Sequence, residues 1–288
     1  MRFGLLICKF RKMKYAYYNG GIIEEENISI NHQDLGFQRG YGIMDAMKTV
    51  NGVPFLIKEH FERLEEGLGA LNLQVSINLQ QFKEIVDELL AKNSCDRDVA
   101  IKTVVTGGKS SNGFDMDGEP TVLITLNSLA NVTPNKQLYK TGAKIISVEF
   151  QRQLPTVKTT NYITALQHQK VKKKNEALDI LYYNKEIVLE GSTSNIFIVK
   201  GDEIITPVKN ILLGVTRNFV IKLLKEHNII VEEREIKLRE LLEADEIFST
   251  GTFKDILPIV KVDNIAIGDG AVGRKTEQGI KLLKSAMR

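Results

Sequence analysis

The chain has 288 residues, 43% hydrophobic and 26% charged, which fits two domains or one large α/β domain and excludes long disorder. Lys plus Arg number 39 against 36 Asp plus Glu, a net charge of +3, so the basic footprint typical of nucleic-acid binding is missing. No run approaches the roughly 18 apolar residues that span a bilayer, and neither a nucleic-acid nor a membrane partner is expected.

Met1–Cys8 is basic and then apolar, like the start of a signal peptide, but Lys9 ends the run short of the ~7–15 apolar residues such a region needs. Residues 1–12 therefore read as a dispensable N-terminal extension. Residues 14–30 predict a hairpin, because Asn19-Gly20 is a strong two-residue turn signal between apolar runs. A second pair of short strands is expected over 43–57, around Asn51-Gly52. Helices follow at 58–71, with Phe61, Leu64, Leu68 and Leu71 at helical spacing, and at 79–92, with Phe82, Ile85, Val86, Leu89 and Leu90 on one face. Strands at 99–106 and 121–126 complete a small α+β domain over residues 13–130. The polar stretch 131–137 reads as a linker.

A larger, β-rich domain is expected over 138–288. It opens with a strand at 143–150 and a helix at 162–176. That helix ends in Lys170, Lys172, Lys173 and Lys174, read as a solvated end whose cations complement the C-terminal dipole. Short strands are predicted at 179–183, 187–190, 195–199 and 203–206. A clear helix at 215–227 precedes a strand at 229–231 and a short helix at 237–243. Strands at 246–249 and 257–262 and a helix at 275–287 close the chain.

Several motifs lead nowhere. Gly108-Lys109-Ser110 looks like part of a phosphate-binding loop, but the required upstream glycine is Thr103 and no apolar helix follows, so a glycine-rich turn is the reading. His32, His60, His168 and His227 are scattered and show no paired metal spacing, and no G-x-S-x-G elbow is present. Cys8 and Cys95 fit neither a disulfide framework nor a zinc site, so no metal is expected and a reducing, cytoplasmic setting is the simplest reading.

Three features suit a phosphate ester. Gly214-Val215-Thr216-Arg217 opens a helix, whose free N–H groups and dipole favour an anion; an ordinary N-cap by Thr216 is the plain alternative. Ser249-Thr250-Gly251-Thr252, read as following a strand, lets backbone approach an anion closely, or is a simple turn. Arg63 lies close enough to the apolar stripe of its helix to reach a cleft, or is a surface arginine. Two further features concern a reacting group. Lys158 ends an extended segment before Thr159-Thr160-Asn161-Tyr162, and Glu190 sits between two apolar strands in Leu189-Glu190-Gly191-Ser192-Thr193-Ser194-Asn195. A solvated lysine and a hairpin-turn glutamate are the plain alternatives.

In order and spacing the set resembles the fold type IV pyridoxal-phosphate enzymes, the aminotransferase class IV family, over residues 14 to 285. The resemblance implies a two-domain α+β / α/β fold with pyridoxal 5'-phosphate between a small N-terminal and a larger β-rich C-terminal domain. It implies that Lys158 forms the internal aldimine and then carries the proton between Cα and the cofactor. Glu190 would face the pyridine nitrogen and Tyr162 the phenolic oxygen. Arg63, Val215, Thr216, Gly251 and Thr252 would hold the phosphate, and Leu212 would pack on the ring. The Thr252-Phe253 amides would receive the substrate carboxylate.

The implied activity is ping-pong transfer of an amino group between an amino acid, D-amino acid or branched-chain L-amino acid, and a 2-oxo acid such as 2-oxoglutarate. Phe37-Gln38-Arg39-Gly40-Tyr41-Gly42, Thr106-Gly107-Gly108 and Phe150-Gln151-Arg152-Gln153-Leu154-Pro155 resemble a divergent D-amino acid transaminase group, in which Arg39 would help bind the carboxylate. A second arginine expected there falls at Thr193, and the Arg-x-His pair of the better-known bacterial type is missing from the loop after Thr106. A homodimer is implied, with residues near Arg39–Met44 contributing to the partner's site. Aminodeoxychorismate lyase, an eliminating relative, and a catalytically silent binding protein of the same fold are the alternative readings.

Overall fold

A computed structural model describes residues 13–288; the expected extension at 1–12 and Cys8 lie outside the described residues. The first half is a six-stranded antiparallel sheet in the order β2-β1-β6-β5-β3-β4. Strands β1 (Tyr15–Tyr18) and β2 (Gly21–Glu24) form the expected hairpin. Asn19 and Gly20 both take positive φ, 43° and 97°, the backbone that a tight two-residue hairpin turn requires. The short helix α1 (Leu35–Arg39), which sequence periodicity did not show, leads into β3 (Gly42–Val50). Strand β3 is long, not short, and turns at Asn51-Gly52 into the two-residue β4 (Val53–Pro54).

Helices α2 (Ile57–Ala70) and α3 (Leu79–Lys92) cover one face of this sheet, and β5 (Val99–Thr106) and β6 (Thr121–Ser128) fill its centre. Helix α3 starts with a reciprocal capping box between Asn78 and Gln81. Phe61 and Leu64 of α2 and Phe82, Val86 and Leu89 of α3 bury against Met47, Ile101, Ile124 and Leu126.

The second half is a nine-stranded mixed sheet in the order β12-β11-β10-β13-β14-β7-β8-β9, with β15 pairing β14. Its elements run α4 (Leu138–Thr141), β7 (Ala143–Glu149), α5 (Ile163–Gln167), α6 (Gln169–Lys174), β8 (Asp179–Asn184), β9 (Ile187–Gly191), β10 (Asn195–Lys200) and β11 (Glu203–Thr206). Then come α7 (Val215–Glu226), β12 (Val231–Glu233), α8 (Leu238–Leu242), β13 (Glu246–Gly251), β14 (Asp255–Val262), β15 (Ile265–Ala266) and α9 (Arg274–Ala286). Helices α7 and α9 pack on one face over Phe197, Phe248 and Ile256, where the rings of Phe197 and Phe248 stack at 4.7 Å.

Three expectations shift. The helix expected over 162–176 is two short helices that meet at His168. The strand expected at 229–231 begins at Val231, because Ile229 is buried among the α7 side chains instead. Ser249 to Gly251 belong to β13 and do not follow it.

The two sheets meet along the segment between β7 and α5. Met44 donates its N–H to Lys158 O at 2.9 Å, and Thr160 donates its own to Gly42 O at 2.9 Å. Lys48 of β3 pairs with Asp255 of β14, and Phe55 packs edge-on against Phe219 of α7. No described helix is long and apolar enough to cross a membrane.

Leu181 is fully buried in the second sheet. Leu181→Ala is expected to lower unfolding free energy by about 2–5 kcal/mol in urea titration, through lost transfer energy plus the cavity left behind.

Candidate active site

Lys158 sits on an irregular strap, its backbone held on β3 by the Met44 bond and by the Ile43–Thr159 bridge. Its Nζ lies 3.4 Å from Tyr162 Oη. A cavity of ≈ 460 Å³ opens around it between the sheets. Arg63, Tyr162, Glu190, Leu212, Val215, Thr216, Gly251, Thr252 and Phe253 all line this cavity with Lys158, so the structure brings together every expected site residue except Arg39.

One wall is the start of α7. Its N-cap is Gly214, without a side-chain cap, so Thr216 is not the N-cap but sits buried in the first turn. The first N–H groups of a helix have no partner within it and carry its positive dipole end. A Cβ on Gly214 would lie 2.3 Å from Asn195 Oδ1, so a larger residue there would have to displace the Asn195 side chain from the start of this helix.

The turn Thr252-Phe253-Lys254 between β13 and β14 also lines the cavity. Tyr139 Oη donates to Lys254 O at 2.9 Å, Lys254 Nζ contacts Asp179 and donates to Thr193 Oγ1 at 2.7 Å, and Asp255 holds Lys48. Burial raises the cost of ionising Asp179, but the Lys254 ammonium outweighs it and, with the Ser192 hydroxyl, holds the carboxyl down at about 2.

Arg63 reaches the cavity from α2, so the surface-arginine reading is ruled out. Its Nε donates to Asp45 Oδ2 at 2.8 Å and its Nη2 lies 2.7 Å from the same oxygen, while His60 Nδ1 is 2.6 Å from Oδ1. Burial disfavours the Asp45 charge, yet Arg63 and His60 together keep the carboxyl well below the usual carboxylate range. Glu190 is not a turn residue: it lies inside β9 and is buried. Burial pushes its carboxyl up, opposed by Arg152 and by the Leu212 N–H, which donates at 3.0 Å.

Arg39 lies elsewhere. At the end of α1 it is exposed, donates to Gly113 O at 3.1 Å and stacks over Phe114 at 4.6 Å. It lines an adjacent cavity of ≈ 280 Å³ that shares Arg152, Tyr162 and Ser192 with the first. Met44 lines the cavity around Lys158. Gly108 has φ +69° in the irregular loop after β5, a backbone that favours glycine, and among the described residues no cluster of three or more His, Cys, Asp or Glu could hold a metal ion.

Sequence reasoning missed Asp45, Asp179 and Lys254, and it quoted Arg152 only as part of the Phe150–Pro155 motif without giving it a role. Asp45 left a signal as a carboxylate inside the apolar strand Gly42–Val50.

Thr250 and Arg217 are among the lining residues. Within the protein Thr250 Oγ1 and Arg217 Nε have no hydrogen-bond partner, although the Arg217 guanidinium is otherwise bound to Pro207 O, Asn218 and Glu233. With the α7 N-terminus and Arg63, the donor set fits a phosphate ester, and Lys158 offers an amine in the same cavity.

A lysine amine thus shares one cavity with Arg63 and the N-terminus of α7, an arrangement that suits group-transfer chemistry on a bound phosphate ester. The amino-transferase class IV family matches residues 42–262, and the chain belongs to that family of fold type IV aminotransferases. It is 32% identical to a Methanocaldococcus jannaschii protein assigned the name branched-chain-amino-acid aminotransferase, covering 91% of this chain and 92% of the other. It is 28% identical to a Bacillus licheniformis D-alanine aminotransferase, covering 90% and 92%. Among solved structures, a branched-chain aminotransferase from Thermoproteus uzoniensis with norvaline superposes with a TM-score of 0.86 at 24% identity, over 95% of this chain and 94% of that one. A T.th. branched-chain amino acid aminotransferase with pyridoxamine 5'-phosphate gives 0.87 at 21%, over 96% and 94%.

Asp45 and Asp179 bind protons less readily folded than unfolded, so their stabilisation is complete above about pH 4 and is lost as pH falls towards 2. The melting temperature should fall steeply across that window, and Asp179→Asn should flatten the fall in a pH series of calorimetric scans.

Proposed function

We propose that this aminotransferase uses pyridoxal 5'-phosphate to move an amino group between an amino acid and a 2-oxo acid, in ping-pong fashion. The observation that carries the reading is the single cavity in which Lys158, the buried Glu190 and the α7 N-terminus with Arg63 are gathered. Bound there, the cofactor would supply an aldehyde for the covalent attachment of Lys158 and then of the substrate amine, and a ring that accepts the electrons released with the Cα proton.

The chain's own residues take the remaining roles. Val215, Thr216, Gly251, Thr252 and Arg63 hold the phosphate. Leu212 packs on the ring, Tyr162 donates to the phenolic oxygen, and Glu190 accepts from the ring nitrogen. Lys158 would serve as the base that carries a proton between the substrate Cα and the cofactor. The Thr252-Phe253 amides receive the substrate carboxylate, on a turn held by Tyr139, Asp179, Thr193 and Lys48.

The relatives' names cover both D-alanine and branched-chain amino acids, so both substrate classes belong to the proposal. In the homodimer we propose, Arg39 serves the partner's site. The exposed Phe37 and Phe114 beside it, 77% and 76% accessible, are apolar surface for such a contact. The cytoplasm is the proposed compartment.

Purified protein with added cofactor should absorb in the visible, and borohydride should fix the label on Lys158. Lys158→Ala should lose at least about 10³-fold in turnover; a variant of normal activity overturns the assignment. D-alanine, D-glutamate, L-leucine and L-glutamate, added in turn, should bleach the band for one hand only. With 2-oxoglutarate as acceptor the product should be glutamate, whereas pyruvate and 4-aminobenzoate from aminodeoxychorismate would mark a lyase.

A further inference from the structure

The strap that carries Lys158 also carries an arginine to which no role has been given. Arg152 Nε donates to Glu190 Oε1 at 2.8 Å, and its Nη2 lies 2.7 Å from the same oxygen. The same guanidinium donates through Nη1 to Val157 O at 2.8 Å and through Nη2 to Pro155 O. Val157 is the residue before Lys158. One planar group is thus fastened both to a buried carboxylate on β9 and to the backbone that presents the lysine. A guanidinium suits this task, because its donors lie in a rigid fork and its charge persists at any working pH.

The hydrogen bonds leave Glu190 in a defined state. Oε1 is taken by Arg152. Oε2 accepts one bond, from the Leu212 N–H at 3.0 Å, and retains a free lone pair on a residue that lines the cavity. The charged and titratable groups facing Glu190 are Arg152 and Lys158 on the strap and Tyr182 on β8.

We propose that Arg152 is a positioning residue. It keeps the buried Glu190 ionised and orients it so that Oε2 can accept from the cofactor ring, and it fixes the distance from that carboxylate to Lys158. This rests on the role given to Glu190 above. Arg152 transfers no proton. Without it, a carboxyl that burial already pushes towards its neutral form would take up a proton and offer the ring a donor where an acceptor is needed.

The test is a pH titration of the full chain, labelled with 13C at the glutamate carboxyls, by NMR without added cofactor. The Glu190 resonance is assigned by its loss in Glu190→Gln. In Arg152→Met the titration midpoint should rise by roughly one unit, a tenfold gain in proton affinity, and Arg152→Lys should restore part of it. If Arg152→Met does not fold, Arg152→Lys carries the test, because it keeps the charge but loses the fork; its midpoint should still exceed that of the wild type. A Glu190 midpoint unchanged in the folded variants overturns the proposal, even where the melting temperature falls, since a merely structural arginine would have only that effect. Uptake of pyridoxal phosphate by the wild type is measured separately. Its failure would refute the cofactor reading and leave the Arg152–Glu190 result standing.

Discussion

The backbone bonds between the Lys158 strap and the start of β3 set the geometry of everything around them. Strand β4 covers only Thr49 and Val50 of β3, so the Gly42–Met44 end of β3 would otherwise leave its outer polar groups without a strand partner. The strap takes that place, through Met44 N to Lys158 O and Thr160 N to Gly42 O. Sheet-edge groups buried without partners are costly. Satisfying them with the strap brings Lys158 to the first sheet and its cavity to the seam with the second.

Around that seam three buried carboxylates each have a cation partner. Asp45 holds Arg63, Glu190 holds Arg152 and Asp179 holds Lys254. Such pairs add little net stability compared with apolar packing, but removing one partner leaves a stranded charge and costs about 3–5 kcal/mol. Their value lies in geometry. Arg63 enters the cavity already oriented by two contacts to Asp45, Glu190 is held by Arg152, and the Lys254–Asp179 pair ties down the turn that offers the Thr252 and Phe253 amides. A site held in place before its ligand arrives needs little reorganisation when charge develops.

The anion end depends on backbone more than on side chains. Helix α7 starts without a side-chain cap, so no protein side chain competes for its first N–H groups. Gly214 makes the close approach to Asn195 possible, and Asn195 in turn donates to Leu212 O at 2.7 Å, fixing the segment that leads into the helix.

What the sequence determined by itself is local. Asn19-Gly20 set the first hairpin, apolar spacing placed α2, α3 and α7, and most strand positions followed from their apolar runs. The spacing of Lys158, Glu190, Gly214–Arg217 and Ser249–Thr252 marked the candidate site, since each lies in a motif a few residues long. Tertiary structure decided the rest. It set aside the turn alternative for Glu190 by burying it in β9 and the N-cap alternative for Thr216 by capping α7 with Gly214, and it sent Arg39 to the neighbouring cavity. It alone paired His60 with Asp45 across 15 residues, Arg152 with Glu190 across 38 and Lys254 with Asp179 across 75. Periodicity and turn chemistry act over a few residues, whereas a buried charge selects its partner from whatever the packed sheets bring within reach.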